Sequence, residues 1–391
     1  MEAYRKNIVL DYIQTFTRSF NLSHAIWMIY LAYKGFSLFE IGIVEGVFHL
    51  TSFTMEIPTG VIADVFGRKI SRLLSIVLYL GYLLLMISGN NLFMISLAFV
   101  FCGLSYTLES GAGDALVYDS LIEIGEEDKY IKVSGKKEII FQIAGTLGAI
   151  IGGYIAEIDI YLVFKLMIIL FIVTFIVILR MKETTVDKIK SELSIKEKFK
   201  KQYIDSFKFV MSNKRLRFLI IIMSLFTFPV TVVFFYSQNY FIELGFNEFQ
   251  VGIFLGLHSF TAILGAMFVD KIKGKFSDRY ILIMLPLIEI VLLWGIISDL
   301  PYVTFILLGA IESMLYVLMS DFINKIIPSD KRATILSMSS MVFSIMMIFI
   351  FPLFGLISDY MTMEYGFIFN ALLISICYIF YLINYRRYMD A

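Results

Sequence analysis

Blocks of about twenty or more apolar residues recur along the whole chain and limit its fold more than any other feature. Each block is long enough to cross a hydrocarbon core of about 30 Å as a helix. Of the 391 residues, 59% are hydrophobic and 17% are charged, whereas soluble domains average about 45–50% and about 25%. We therefore predict an all-α integral membrane protein.

The apolar blocks and the polar segments that separate them predict twelve transmembrane spans. Asp11 and Arg18 interrupt the first apolar block, which lacks the short core and cleavage site of a secretory signal, so we interpret it as a retained span. The predicted spans are 8–33, 38–65, 73–90, 92–122, 133–156, 160–180, 216–243, 248–270, 279–298, 302–325, 333–358 and 364–385.

The long polar segment 181–215 divides the spans into two sets of six. We predict helix bundles over 1–180 and 216–391, joined by a cationic cytoplasmic linker that includes a surface helix. Basic residues concentrate in alternate loops, and the positive-inside bias then places both termini in the cytoplasm of a multi-pass plasma-membrane protein. The loop cations are Arg68, Lys69, Arg72, Lys129, Lys132, Lys136, Lys137, Lys271, Lys273, Lys275, Arg279, Lys325, Lys331 and Arg332.

An internal repeat relates the two sets of spans. Residues 36–46 (FSLFEIGIVEG) align with 246–256 (FNEFQVGIFLG) at an offset of 210. Matches at offsets of 202–203 follow in the same order: Glu109-Ser110 with Glu312-Ser313, Asp119 with Asp321, and Gly153 with Gly355. Both halves therefore have the same polarity, an arrangement described for transporters with a site between two bundles.

Residues 60–69 read GVIADVFGRK, in the loop between the second and third predicted spans. Gly60, Asp64, Gly67, Arg68 and Lys69 match the G-x-x-x-D-x-x-G-R-[KR] signature, and the chain thereby resembles the major facilitator superfamily. With the spans, linker and repeat, this resemblance covers almost the whole chain. It implies the major facilitator fold and a secondary transporter that works by alternating access.

The signature loop also has a physical interpretation. Gly60 permits close helix approach, and Gly67 permits a turn that a side chain would obstruct. The resemblance implies that Arg68 engages an acid at the end of the fourth span, which here is Asp119, as a conformational latch. The alternative is that Arg68 and Lys69 act only as topology-determining charges.

Small residues in the fifth span form a second, partial resemblance. Gly148, Gly152 and Gly153 match an antiporter motif of the same superfamily, but Ala144 and Ala149 replace its first Gly and its Pro. The partial match indicates export. The same spacing is also what a tight helix crossing requires, so helix packing alone remains an equal alternative.

Charged residues near the middle of a span usually face a partner or a water-filled cavity. Counting along the helices places Arg18, Glu109 and Glu312 near mid-depth, and the resemblance implies that their helices line the central cavity. We hypothesise that Glu109 or Asp114 exchanges the transported proton and that Arg18 modulates its pKa. The alternative is a permanent ion pair between the first and fourth spans.

The 38 Phe and 20 Met residues suit a cavity for apolar or amphipathic ligands. Gln238 and Asn239 belong to the most polar cluster of the seventh span and are further candidates for substrate contact.

We therefore predict proton-coupled efflux of hydrophobic or cationic small molecules by a monomer in the lipid bilayer, of the drug:proton antiporter type. The alternatives are an uptake permease for a small polar metabolite and a transport-inactive receptor. The sequence shows no catalytic triad, metal-ligand cluster or phosphate loop, so we expect no enzyme activity, no catalytic residues, no metal, no cofactor and no nucleic-acid partner.

Overall fold

Helices make up the secondary structure of the described parts of the chain, which in this computed structural model are residues 1–184, 195–328 and 331–389. The helices are α1 (Glu2–Ser19), α2 (Trp27–Tyr33), α3 (Leu38–Phe66), α4 (Arg68–Ser88), α5 (Leu92–Ile124), α6 (Tyr130–Ile158), α7 (Ile160–Leu179), α8 (Ile195–Ser212), α9 (Lys214–Glu243), α10 (Glu248–Lys273), α11 (Asp278–Gly295), α12 (Pro301–Ile326), α13 (Arg332–Tyr360) and α14 (Met363–Met389). The prediction of an all-α membrane protein is confirmed.

Ten of the helices in the described ranges are long and apolar enough to cross a membrane. The predicted ninth span corresponds to α11, and the predicted first span is interrupted between α1 and α2. The interruption has a local cause, because the Asn21 side-chain oxygen accepts hydrogen bonds from Ser23 N at 3.0 Å and Ser23 Oγ at 2.8 Å. Such an Asn-centred turn competes with the helical hydrogen bonds.

The sequence repeat is reproduced in backbone detail at the start of α3 and α10. Gly35 and Gly245, 210 residues apart, both have positive φ angles, of 91° and 88°. A reciprocal capping box follows each glycine. Ser37 N and Glu40 N exchange hydrogen bonds with the opposite side chains, as Asn247 and Gln250 do after Gly245. These turns therefore share one local structure.

The chain folds into two compact units. The first contains 1–34, 44–196 and 247–253, and within it α1 packs on α5, α6 and α7, while α4 packs on α5 and α7. The second contains 35–43, 197–246 and 254–391, with α9 packed on α12, α13 and α14.

The predicted linker 181–215 contains α8, which covers Ile195–Ser212. Residues 185–194 of this linker, with Lys188 and Lys190, lie outside the described residues. Residues 181–184 pack on helices of the first unit, through contacts described below.

Candidate functional site

Arg72 of α4 occupies the centre of a buried group of charges in the first unit. Its side chain is 0% exposed, and Nη2 lies 2.8 Å from Oδ1 of Asp11 and 3.0 Å from Oε1 of Glu109. Its Nε also donates to the same oxygen of Glu109 at 3.1 Å. Arg72 thus joins α1 to α5 through two carboxylates.

Two further cations extend this group in opposite directions. Arg18 Nη1 lies 3.7 Å from Oε2 of Glu109. Lys137 Nζ on α6 lies 3.6 Å from Oδ2 of Asp11 and 2.8 Å from Oδ1 of Asp114. We call these residues the charge string, in spatial order Arg18, Glu109, Arg72, Asp11, Lys137 and Asp114.

The charge string alternates in sign and is neutral as a whole. At its centre the Arg72 and Asp11 side chains are 0% and 1% exposed, whereas the terminal Asp114 is 64% exposed. An ion pair of this kind offsets the cost of removing its charges from water only while both partners are present. Removing the central Arg72 would therefore leave Asp11 and Glu109 with only the longer ion pairs to Lys137 and Arg18.

The sequence hypothesis concerned Arg18, Glu109 and Asp114, and the structure arranges them differently. Glu109 is near Arg18 but bonds more closely to Arg72, and Asp114 bonds to Lys137. Sequence reasoning assigned Arg72 and Lys137 to the positive loops and gave Asp11 no role. The available signal was that Asp11 interrupts an apolar block.

The signature loop turns at Gly67, whose φ of 105° favours glycine. Arg68 follows, forming an ion pair with Asp64, and its Nε lies 3.8 Å from Oδ2 of Asp119. Lys69 Nζ donates to the Leu179 carbonyl at 2.8 Å. The residues of the predicted latch are therefore adjacent.

The glycines proposed for helix packing differ in their surroundings. A Cβ built on Gly60 would meet no described atom within 4 Å, so the expected close helix approach there is wrong, because that part of α3 is partly exposed. By contrast, Cβ atoms on Gly148 and Gly152 would overlap the backbone of Asn21 and Leu22, and one on Gly153 would overlap the backbone of 248–252.

A small recess lies in the second unit, and two acids line it. Glu289 of α11 is 1% exposed, and neither of its carboxylate oxygens has a hydrogen-bond partner in the described part of the protein. Glu312 of α12 lies 3.7 Å from Nε2 of His258, whose Nδ1 is 2.8 Å from the Phe305 carbonyl. The other lining residues are Met223, Phe226, Thr227, Leu315, Tyr316 and Met319.

Glu289 was missed by sequence reasoning, although it is an acid in the middle of an apolar segment. The predicted Glu312 does line the recess. Gln238 and Asn239 are buried in α9 and are not among the lining residues of this recess. No group of three or more potential metal ligands was found among the described residues.

Comparison with known proteins gives consistent matches. The Major Facilitator Superfamily profile matches residues 12–301. Over 367 residues the chain is 25% identical to an uncharacterized MFS-type transporter, YxaM, of Bacillus subtilis, covering 92% of this chain and 90% of that protein. The chain is 27% identical over 245 residues to the class B tetracycline resistance protein of Escherichia coli, and this match covers 61% of this chain and 58% of that protein.

The fold is also similar to solved structures. The crystal structure of the nucleoside transporter NupG aligns over 99% of this chain and 100% of its own, with a TM-score of 0.75 and 12% identity. At that identity the likeness concerns the fold alone.

Proposed function

Because this chain belongs to the Major Facilitator Superfamily of transporters, we propose that it is a proton-coupled exporter of hydrophobic or cationic small molecules. That it is a multi-pass membrane transporter follows from the family and the spans. The finer proposal depends on one observation, the buried Glu289 carboxyl facing a recess with largely apolar walls.

Glu289 has the properties of a proton-exchanging group. A carboxylate held away from water without a cation or hydrogen bond is costly, so its neutral form is favoured until a cation or water reaches it. Glu312 lines the same recess. A proton held this way is released when the surroundings of the carboxyl change.

The recess walls suit organic cations. Phe226 and Tyr316 offer aromatic faces to a cationic ligand, and Met223 and Met319 provide adaptable apolar contacts. Glu289 supplies negative charge once it is deprotonated. An organic cation could enter only if the recess opens further during the transport cycle, and it would then displace the proton of Glu289, which couples the two movements.

Export is the direction in which such coupling is needed. The membrane potential drives lipophilic cations inward, at about 2.3 kcal/mol per 100 mV, so their removal requires an energy source. The similarity to a tetracycline resistance protein and the glycines of α6 support this direction.

We further propose that residues 1–180 and 216–391 are the two bundles, that 181–215 is the cytoplasmic linker, and that a monomer acts in the plasma membrane. Both termini would then be cytoplasmic, on the side of the basic loops. Glu109 and Asp114 stay secondary candidates for proton exchange, and Gln238 and Asn239 for substrate contact.

An uptake permease for a small polar metabolite is the second candidate. It is favoured by polar groups next to the break after α1, where Arg18 donates to Ser75 Oγ at 2.9 Å and Asn21 donates to the Tyr79 hydroxyl at 3.2 Å. Groups of this kind can bind sugar or nucleoside hydroxyls.

The test is transport by the purified full chain in proteoliposomes with an imposed pH gradient. Radiolabelled tetraphenylphosphonium serves as the organic cation and uridine as the polar solute. We expect the gradient to drive the cation, and Glu289→Gln to lose gradient-driven transport while it keeps cation exchange, because an amide cannot release a proton.

The matched control is Glu126→Gln, which neutralises an acid in the loop between α5 and α6 and should transport like the parent protein. Gradient-driven uridine movement without cation movement would favour the permease. An unchanged gradient response in Glu289→Gln would contradict the proton role of this residue. If neither solute moves, the result would support the alternative of a transport-inactive receptor.

A further inference from the structure

Four consecutive residues after α7 contact three other helices of the first unit. We call Met181, Lys182, Glu183 and Thr184 the strap. Met181 is 2% exposed, and its sulfur lies 3.6 Å from Nη1 of Arg72, the centre of the charge string. The strap thus begins in contact with the buried charges.

Lys182 fixes the strap to α1 through its backbone. Its N–H donates to Asn7 Oδ1 at 2.8 Å, and its carbonyl accepts from Asn7 Nδ2, also at 2.8 Å. The same nitrogen of Asn7, a residue that is 1% exposed, lies 2.9 Å from Ser120 Oγ on α5. The Lys182 ammonium lies 4.3 Å from the ring centre of Tyr4. These contacts hold the backbone of Lys182 between α1 and α5.

Glu183 caps the helix that carries the signature cations. Its two carboxylate oxygens accept from the backbone N–H groups of Arg68 at 3.1 Å and Lys69 at 2.9 Å. These are the first amides of α4, where unpaired N–H groups and the helix dipole favour an anion. A Cβ on Gly67 would lie 2.5 Å from Glu183 Oε2, so the signature glycine also leaves room for this carboxylate.

Thr184 completes the strap at the predicted latch. Its hydroxyl donates to Oδ2 of Asp119 at 3.4 Å, the same oxygen that Arg68 approaches. Glu183 therefore fixes the backbone of Arg68, and Thr184 contacts the acid that Arg68 faces.

We propose that Glu183 is a positioning residue of the transport cycle, which acts by holding Arg68 between Asp64 and Asp119. This inference rests on the transport function proposed above. Loss of the cap lets the first turn of α4 shift, which weakens the conformation that the latch stabilises and slows the cycle. Substrate contacts are expected to stay unchanged, because no residue of the strap lines the recess.

The experiment compares Glu183→Gln with the parent protein in two measurements on the full chain. Hydrogen exchange at the Arg68 and Lys69 amides should accelerate about fivefold, as expected from losing a helix cap. Turnover of tetraphenylphosphonium should fall by a similar factor, about fivefold, with less than about a twofold change in its equilibrium dissociation constant. Unchanged exchange at both amides would overturn the cap.

A second variant tests whether the whole strap, and not only the helix cap formed by Glu183, affects transport. Asn7→Leu removes the anchor on α1 without touching the signature, and it should reproduce the slower turnover with unchanged affinity. Normal turnover in Asn7→Leu would overturn the positioning role. Normal turnover in Glu183→Gln would also overturn it if amide exchange in that variant is faster than in the parent protein. A parent protein that moves no solute would contradict the transport function and with it the positioning role, while amide exchange would still report on the cap.

The control is again Glu126→Gln, an acid that Lys129 and Arg5 contact at 2.8 Å and 2.6 Å. The hydrogen bond from Lys129, with that from Arg5, holds the pKa of Glu126 below its ordinary value, so this residue is also a carboxylate. Neutralising it removes the same charge without touching α4, and both measurements should remain at the parent values.

Discussion

Glu109 and Glu312 occupy matching positions in the two sequence repeats, but their neighbours differ in charge. In the first unit, α4 places Arg72 between Glu109 and Asp11. In the second unit, α11 places another acid, Glu289, in the recess that Glu312 lines. The third long helix of each half thus contributes a cation to one site and a carboxyl to the other.

The difference separates two uses of buried charge. A neutral group of alternating charges is stabilised by its ion pairs, because each change in charge leaves a neighbour uncompensated. A carboxyl without a partner is ready to exchange a proton or accept a cation. The two halves therefore keep the same turn at Gly35 and Gly245, while the first unit pairs its buried acids with cations and the second holds an acid without a hydrogen-bond partner among the described residues.

The largest expected effect comes from breaking the charge string at its centre. Arg72→Met should lower stability by about 3–5 kcal/mol, because Asp11 and Glu109 then lose the buried cation that they share and keep only longer ion pairs. The apparent melting temperature of the detergent-solubilised protein measures this loss.

A triple variant tests the cause. Adding Asp11→Asn and Glu109→Gln to Arg72→Met removes the two carboxylates that Arg72 bridged and should recover most of the melting temperature. A triple variant no more stable than Arg72→Met would show that shape, and not charge balance, determines the role of Arg72.

In the second unit, removing a buried charge is expected to change stability in the opposite direction. Glu289→Leu should raise stability by about 1–3 kcal/mol, because it replaces an unsatisfied buried carboxyl by an apolar side chain of similar size. The same melting measurement applies. Leu285→Ala, one turn earlier on α11 and also buried, should instead destabilise by about 2–5 kcal/mol. Destabilisation by Glu289→Leu would indicate that the Glu289 carboxyl has a stabilising partner. The contrast between the two units would then no longer hold.

Much of the fold was predictable from the sequence, because span length, loop charge and the internal repeat can be recognised in the order of residues alone. The signature residues also came out adjacent as expected, with Arg68 near Asp64 and Asp119. The interruption after α1 was not predicted, since a short turn at Asn21 leaves the hydropathy of the block unchanged.

The site was less predictable, because the sign of a charge does not reveal the direction of its side chain. Arg72 follows Arg68 and Lys69 and was counted with the loop cations, although α4 turns it towards Asp11. Glu289 has no counterpart in the signature, and only the packing of α11 and α12 brings it to the recess of Glu312.

The smallest effect is expected at the exposed end of the charge string. Asp114→Asn removes a carboxylate that is 64% exposed, and such surface pairs contribute less than about 1 kcal/mol. Lys137 keeps Asp11 as a partner at 3.6 Å, so the interior remains compensated. Gradient-driven transport in proteoliposomes should therefore stay close to the parent value. Loss of proton coupling in Asp114→Asn would instead show that the charge string takes part in proton movement, which would remove the contrast with the second unit.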